Sequence, residues 1–390
     1  MGQRDNDKWR IAVVGPMHPY RGGIAHFTEM TVEALVERGH EVRPVSFSRQ
    51  YPELLFPGKT QYEPDDDVPP VVQGAPRLLD TLNPLSWGRT ALRLREQAPD
   101  AVLFQYWMPF FAPAYGTVAR LLRWTGIPSY AVVHNALPHE RHVGDAWLSR
   151  FFLRACEGHV VMSDAVAADL RPLRRPDAAL QQIEHPVYER FGDPVPRAEA
   201  RAALDLPTEA PVLLFFGFVR EYKGLHVLLE ALPDVLDALP ALHLVVAGEP
   251  YDNPERYRRL IRDNDLGGRV HWHDEYVPSE RVPTYFGAAD LVVQPYVSAT
   301  QSGVAQIATH FETPMIVTDV GGLAESVPHE EVGFVVPPED PGALAGAVAR
   351  FFQDDWRDRL TDGMRARRHR HHPDRLVDAV ERLVAQTQME

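Results

Sequence analysis

The sequence predicts an α/β protein built from two successive Rossmann-like domains. Its 390 residues exceed what one hydrophobic core usually holds, since domains commonly run to about 100–200 residues. Buried-strand patterns alternate with helical patterns along both halves, which favours parallel sheets. An extended, polar, proline-bearing stretch interrupts this alternation around residues 184–210. We predict a first domain at 1–187, a connection at 188–210, a second domain at 211–368 and a terminal helical segment at 369–390.

The first half opens with a βαβ pattern. A strand is predicted for IAVVGP (11–16), a helix from Ile24 to Val36, and a second strand for EVRPVSF (41–47). Residues 50–75 are rich in Pro and Asp and are expected to form a loop. We expect about six strands in this domain, the later ones at 101–107, 129–135 and 158–163.

The second half repeats the alternation after a short predicted helix, RAEARAALDL. PVLLFFGF (211–218) restarts the strand pattern. An amphipathic helix is predicted at 374–386, after the basic stretch MRARRHRHH. The remaining predicted strands lie at 242–248, 269–274, 291–296 and 314–319.

Composition narrows the classes of partner. The chain carries 40 basic and 54 acidic residues, a formal charge of −14, and this argues against nucleic acid as a partner. No apolar run approaches the ~18–20 residues of a membrane span, and the amino terminus lacks the apolar core of a signal peptide. We therefore expect a cytoplasmic protein. Cys156 is the single cysteine, stands in an apolar setting, and is expected to be a buried structural thiol.

Two stretches of the first half follow predicted strands and carry candidate site residues. Gly22 and Gly23 lie between a strand and a helix start, where glycine lets backbone approach a ligand and the helix amides attract anions. An ordinary tight turn would show the same residues. His134 and Asn135 end another strand, with His139 close behind, at the edge where ligands meet open α/β sheets.

Two stretches of the second half suit an anion. Arg220 and Lys223, in GFVREYKG, precede a helix, where two cations suit a diphosphate that gains charge as its bond to a sugar breaks. In QPYVSATQSGVAQ a helix opens at Ser302, Gly303 and Val304, whose first-turn amides are free for phosphate oxygens. Solvated surface cations and a plain serine N-cap are the alternatives. TDVGGLAESV adds another strand end with a carboxylate, Glu325.

These motifs resemble the retaining glycosyltransferases of family 4, which have the GT-B architecture. The resemblance rests on the glycine loop after the first strand, the strand-end histidine, and the KG of GFVREYKG. It continues through LVVAGEP, VPTYFGAADLVVQPY and PMIVTDVGGLAESV…GFVVPPED, in order and spacing. The resemblance implies two Rossmann-like domains facing across a cleft. It also implies a nucleotide sugar held mainly by the second domain, an acceptor held mainly by the first, and a terminal helix returning to the first domain.

The sequence departs from the family pattern at three positions. The family's arginine after the strand glycine is replaced by Phe218, and Arg220 is the candidate substitute. The positions of two family glutamates fall on Ala299 and Ile307, so the donor's identity is in question. Neighbouring glutamines could bond a sugar or ribose hydroxyl without adding charge, and these are Gln301 and Gln306.

The resemblance also implies roles for the candidate residues. Arg220, Lys223 and the first-turn amides at 302–304 would stabilise the departing diphosphate, and His134 would orient the transferred sugar. The donor site would add the two glycines of the first loop, Gln301, Gln306 and Glu325. The acceptor site would use Asn135, His139 and Trp107. We expect no metal and no cofactor besides the nucleotide sugar, since the Asp-x-Asp at 65–67 lies in a proline-rich acidic loop.

Three other functions stay open at this point. Because the two family glutamates are missing, the chain could bind a nucleotide sugar without transferring it. A GT-B epimerase of sugar nucleotides is a second alternative. A nicotinamide-dependent dehydrogenase is the third and weakest, since GxGxxG with an acidic residue ~20 positions later is missing. The sequence does not fix the base, the sugar, the acceptor or the oligomeric state.

An acceptor at the inner membrane face is the last expectation. Residues 82–96 combine leucines and Trp87 with three arginines, as an interfacial segment does, and residues 105–116 are aromatic. We therefore expect a lipid-linked or glycan acceptor and a peripheral contact with the membrane. Both stretches would look the same if they built the domain core and its helix surface.

Overall fold

The computed structural model describes residues 8–52, 60–63, 74–138, 142–187 and 191–389. It divides the chain into two compact units. One comprises the residues through Pro186 together with those from His372 onward, and the other runs from Val187 to His371. Each unit is a parallel α/β sheet with helices, as the alternating pattern predicts.

The first unit contains a seven-stranded parallel sheet, whereas about six strands were expected and five were located in the sequence. The additional strands are short and weakly patterned, RLLD and ALQQ, and both lie at sheet edges. The strands are β1 (Arg10–Val14), β2 (Glu41–Arg49), β3 (Arg77–Asp80), β4 (Ala101–Tyr106), β5 (Ser129–Val133), β6 (Gly158–Val161) and β7 (Ala179–Gln182). The helices are α1 (Gly23–Glu37), α2 (Pro84–Glu96), α3 (Ala112–Arg123), α4 (Asp145–Leu153), α5 (Asp164–Leu170) and α14 (Asp374–Met389).

The second unit contains a six-stranded parallel sheet, with one strand more than the five predicted. Its strands are β8 (Val212–Phe216), β9 (His243–Ala247), β10 (Val270–His273), β11 (Leu291–Gln294), β12 (Met315–Thr318) and β13 (Gly333–Val336). Its helices are α6 (Arg197–Ala203), α7 (Leu225–Ala238), α8 (Glu255–Asp263), α9 (Val282–Ala288), α10 (Gly303–His310), α11 (Leu323–Ser326), α12 (Pro341–Gln353) and α13 (Arg357–Arg367).

Strand order places a topological switch point in each sheet. The first sheet has the order β3-β2-β1-β4-β5-β6-β7, so successive strands are added on one side of β1 up to β3 and on its other side from β4 onward. The second has the order β10-β9-β8-β11-β12-β13, so the same change of side occurs between β8 and β11. Ligands of open α/β sheets bind outside the carboxyl ends of the strands at such points. A ligand site is therefore expected at the loops after β1, β4, β8 and β11.

The segment after residue 190 belongs to the second unit. Arg201 of α6 is fully buried and forms an ion pair with Asp290, with Nη2 and Oδ2 at 2.8 Å. The same carboxylate pairs with Arg197 and Arg357, and it also accepts the backbone N–H of Val212. One buried aspartate thus ties α6 and α13 to the start of β8.

The terminal helix α14 packs in the first unit against α1, β6 and β7. Arg38, which follows α1, pairs with three of its carboxylates, those of Asp374, Asp378 and Glu381. Gly158 of β6 makes room for the helix, because a Cβ there would lie 2.8 Å from Cδ2 of Leu383. Of the helices the structure describes, none is both long enough and apolar enough to cross a bilayer.

Candidate functional site

Lys223 is the centre of the candidate site in the second unit. It ends a short 3-10 turn between β8 and α7, and the residue is only 9% exposed. Its amine lies beneath Gly217, since a Cβ at Gly217 would stand 3.1 Å from Nζ. The Tyr296 ring centroid is 5.6 Å from the same nitrogen. No carboxylate among the described residues pairs with this ammonium group.

Burial and Arg220 together perturb the Lys223 amine. Desolvation lowers the pKa of Lys223 to about 7, and the neighbouring positive charge of Arg220 adds to the effect. A buried amine without a counterion is stabilised in its charged form by an incoming anion. The protonated amine therefore adds a positive charge to this corner of the second unit that no described carboxylate neutralises.

The amino end of α10 borders the same corner. Ser302 caps the helix, with its Oγ accepting the N–H of Ala305 at 3.3 Å. Val304 lies next to Gly217, because a Cβ there would approach Val304 Cγ2 to 3.4 Å. The amide groups of the first turn, those of residues 302–304, thus stand beside the lysine pocket. Free amides at a helix start and a buried ammonium group both attract negative charge, so their proximity is an arrangement typical of anion-binding sites.

Glycine is required where the strand-end loops meet. Gly224 has φ +69°, and a Cβ there would lie 1.8 Å from the carbonyl oxygen of Pro295. Gly321 has φ +53°, and a Cβ there would lie 1.8 Å from the carbonyl oxygen of Ala299. The loops after β8, β11 and β12 therefore touch through backbone, and no side chain fits between them.

Arg220 is held by an aromatic group that follows β9. Its guanidinium carbon lies 4.8 Å from the ring centroid of Tyr251, and that ring packs on Phe218 with centroids 4.4 Å apart. The backbone N–H of Tyr251 donates to the Val219 carbonyl at 2.9 Å. Arg256 adds an ion pair to Glu221 at 2.8 Å. The loop after β9 and the first turn of α8 thus both contact the GFVREYKG turn.

The remaining predicted donor residues of the second unit differ in burial. Gln301 is half-buried just before α10. Gln306 is buried within that helix, and its Oε1 accepts no hydrogen bond from a described residue. Glu325 is exposed on α11, next to a loop contact in which Gly322 N–H donates to the Thr300 carbonyl at 3.0 Å.

His134 is the centre of a second cluster, in the first unit at the end of β5. It is buried, and its Nε2 lies 2.8 Å from Oε1 of Gln105, at the end of β4. The ring meets Phe27 of α1 edge to face, with centroids 4.6 Å apart. Burial, with a smaller contribution from His185, lowers the pKa of His134 to about 3, so the imidazole is neutral near pH 7.

The glycine loop lies at the same edge of the first sheet. Gly22 has φ +103° and caps α1, which Gly23 begins. Buried Glu29 accepts the backbone N–H of His18 at 2.7 Å and so anchors this loop from within α1. Gly15 faces Gln105, since a Cβ there would lie 3.0 Å from Gln105 Cγ.

The structure describes two of the three predicted acceptor residues, Asn135 and Trp107. Asn135 is half-buried and lies two residues after the end of β5. Trp107 joins an aromatic cluster after β4, where its Nε1 donates to the Tyr51 hydroxyl at 3.1 Å. His139 lies outside the described residues, as does the Asp-x-Asp at 65–67. In the described segments no group of three or more His, Cys, Asp or Glu is arranged to hold a metal.

Only some of the apolar residues predicted for the interfacial segment are exposed. Leu94 is fully buried and Trp87 is half-buried, with its indole N–H donating to the Asp80 carbonyl at 2.8 Å. Both build the domain because they lie on the inward face of α2. Leu85 and Leu92 are 71% and 58% exposed on the outward face. In the aromatic stretch 105–116, Phe111 and Tyr115 are likewise core residues.

Sequence reasoning missed four residues of these clusters: Gln105, His185, Tyr251 and Tyr296. Each lies on a strand end or loop next to a motif residue, but no local pattern marks it. Gln105 could have been found, because a polar side chain inside the apolar run AVLFQY is unusual.

Family models of known proteins match both halves of the chain. Residues 22–184 match the family model of the glycosyl transferase 4-like domain, and residues 210–354 match that of the glycosyl transferases group 1. The D-inositol 3-phosphate glycosyltransferase of Acidothermus cellulolyticus is 30% identical over 191 residues, 47% of this chain and 42% of that protein. The chain matches about two fifths of the length of such relatives.

Solved structures with the same fold cover nearly the whole chain. Sucrose-phosphate synthase from Thermosynechococcus elongatus superposes with a TM-score of 0.69 at 22% identity, over 97% of this chain and 98% of that one. Anabaena HepE in complex with UDP-glucose gives 0.71 at 15% identity, over 98% and 99%. Such identities speak to fold alone, which is the GT-B pair of Rossmann-like domains. The two family matches therefore show that the chain joins a glycosyl transferase 4-like domain at 22–184 to a domain of the glycosyl transferases group 1 at 210–354.

Proposed function

We propose that the chain transfers a sugar, with retention of configuration, from a nucleoside diphosphate to an acceptor. The observation that carries the proposal is the buried Lys223 amine, which lies beside the first turn of α10 with no carboxylate partner in the described residues. A diphosphate leaving group supplies the charge this pocket lacks. Retention is what the family resemblance implies, and the anomeric configuration of the product tests it.

The chemistry follows from where charge develops. As the bond to the sugar breaks, the β-phosphate gains negative charge, and Lys223, Arg220 and the α10 amides bind it more tightly than the intact donor. The leaving phosphate can then accept the proton of the attacking hydroxyl. In this mechanism the neutral His134 orients the sugar and moves no proton.

The donor class is supported by what similar proteins bind. The HepE structures contain UDP and UDP-glucose. A thermal-shift screen of UDP-, GDP- and ADP-sugars identifies the base, because a ligand that binds only the folded state raises the unfolding midpoint. We expect one base to give a clear shift. No shift with any nucleotide sugar would contradict the proposal.

Site variants separate an enzyme from a binding protein. Lys223→Met and Arg220→Ala are each expected to lower turnover by about 10²–10³, the size seen when one contact to transition-state charge is lost. Arg365→Ala is the matched control, because this exposed arginine pairs with Glu312 on the same unit. Mass analysis of donor and products distinguishes transfer from epimerisation. Near-normal turnover in both site variants would remove these cations from the mechanism.

The acceptor is proposed to be a lipid-linked or glycan intermediate reached at a membrane surface. The exposed face of α2 carries Leu85 and Leu92 beside Arg89 and Arg93, a combination that binds anionic lipid even on an acidic protein. The named activity of the relatives points to a small acceptor instead, inositol phosphate. A transfer assay with both acceptor classes decides between them.

A further inference from the structure

Gln105 is a polar side chain with no exposed surface, at the carboxyl end of β4. It lies at the switch point of the first sheet, between the glycine loop and His134. Burying an amide is costly unless its donors and acceptor are bonded, so its orientation is set by its partners. Those partners are Thr31 on one side and His134 on the other.

The orientation of the Gln105 amide follows from which neighbouring groups can donate a hydrogen bond to it. The Thr31 hydroxyl donates its one hydrogen to the Phe27 carbonyl at 2.7 Å. The Thr31 oxygen can therefore only accept a hydrogen bond from Gln105. The Gln105 atom that faces it, at 3.2 Å, is the amide nitrogen. The amide carbonyl is left to face His134, whose Nε2 lies 2.8 Å from it. Because a carbonyl only accepts, the proton of the imidazole must be on Nε2.

We propose that Gln105 fixes His134 in the tautomer protonated on Nε2, so that Nδ1 is a hydrogen-bond acceptor reserved for a hydroxyl of the bound sugar. The part concerning the sugar rests on the proposed function. A ring nitrogen with a lone pair repels phosphate and carbonyl oxygens, and a hydroxyl is the group of a nucleotide sugar that donates to it. Gln105 is a positioning residue here, and His134 makes the contact.

The surroundings of the pair support a fixed ring. Nδ1 has no hydrogen-bond partner among the described residues, and Phe27 packs edge to face against the ring. Gly15 leaves room for the aliphatic part of the Gln105 side chain, which a Cβ at residue 15 would displace. Burial keeps the ring neutral, with the pKa of His134 at about 3. The acceptor nitrogen therefore persists through the neutral pH range.

Nitrogen NMR of histidine-labelled protein tests the tautomer directly, because protonated and bare ring nitrogens differ in chemical shift. His134→Phe identifies the His134 signals among the 17 histidines. We expect a protonated Nε2 and a bare Nδ1 in the wild type, and a mixture of tautomers in Gln105→Leu. A proton on Nδ1 in the wild type would overturn the proposal. So would an unchanged ring in folded Gln105→Leu.

Gln105→Glu is the conservative variant, in case the leucine variant does not fold. A carboxylate in place of the amide stabilises the doubly protonated ring, so the pKa of His134 should rise and Nδ1 should gain a proton on acidification. A ring that stays neutral in this variant down to about pH 5 would refute the Gln105–His134 coupling.

Donor analogues test the contact with sugar. UDP-glucose analogues with each hydroxyl replaced in turn by fluorine serve as probes, since fluorine cannot donate. We expect one of these substitutions to weaken binding to the wild type by about tenfold. The same substitution should be tolerated by Gln105→Glu at a pH where His134 is doubly protonated, because Nδ1 then donates a hydrogen bond and no longer needs a hydroxyl. Equal affinities across the series would overturn the hydroxyl contact. If the wild type bound no nucleotide sugar at all, the proposed function would fail, while the NMR result on the tautomer would stand separately.

Discussion

Binding of a nucleoside diphosphate sugar should draw a proton onto Lys223. The amine is buried, and desolvation together with Arg220 lowers its pKa to about 7. A diphosphate beside it favours the charged ammonium form, so binding raises that pKa. The donor itself contributes no proton near neutral pH when both of its phosphates are diesters, because only a phosphate monoester has a second pKa near ~6.

The size of the effect follows from the fraction of neutral amine. With the pKa at about 7, roughly three quarters of the amines are neutral at about pH 7.5, so binding takes up ~0.7 proton per site. At about pH 6 only ~0.1 proton is taken up, because the amine is already charged. Since binding takes up a proton, donor affinity should fall as the pH rises above about 7.

Calorimetry in two buffers with different ionisation heats measures this uptake. UDP-glucose is the probe, the wild type is compared with Lys223→Met, and Arg365→Ala is the control. We expect uptake in the wild type and the control, and loss of most of it in Lys223→Met. Equal uptake in wild type and Lys223→Met, or none at either pH, would refute the buried amine as the anion site.

Three further predictions concern other parts of the molecule. Gly303→Val should weaken nucleotide binding about tenfold or more while leaving acceptor binding unchanged, because its side chain would crowd the first-turn amides; unchanged nucleotide affinity by calorimetry would place the phosphate elsewhere. Tyr251→Leu should lower turnover in the wild type but add little in an Arg220→Ala background, because the ring acts through that guanidinium; additive effects in steady-state kinetics would disprove the coupling. The double variant Arg89→Glu with Arg93→Glu should abolish sedimentation with anionic vesicles at low salt, whereas a wild type left in the supernatant would end the membrane proposal.

Strong local patterns made much of the fold predictable. Runs such as VLLFF in β8 are apolar throughout and bounded by Pro or Gly, so they read as buried strands. RLLD in β3 and ALQQ in β7 carry no such run. Their pairing comes from register with a neighbouring strand, which no window of sequence contains.

The same distinction applies to the site. Lys223 and Ser302 stand in motifs, at a strand–helix junction that sequence alone can find. Tyr251 reaches Arg220 from 31 positions away, and Gln105 reaches His134 from 29. Such partners are set by which strand ends adjoin in the sheet, and so they emerge only from the folded chain.

Because α14 packs in the first unit, that unit can finish folding only after the second unit has been translated. The face of β6 and β7 that this helix covers is made early, yet the helix itself is among the last segments translated. At the ~5–20 residues per second typical of ribosomes, about 10–40 s separate Pro186 from His372. Through that interval apolar surface around Gly158 has no Leu383 to cover it. The first domain to emerge is thus the last to be completed, and a nascent-chain chaperone would find its binding surface there.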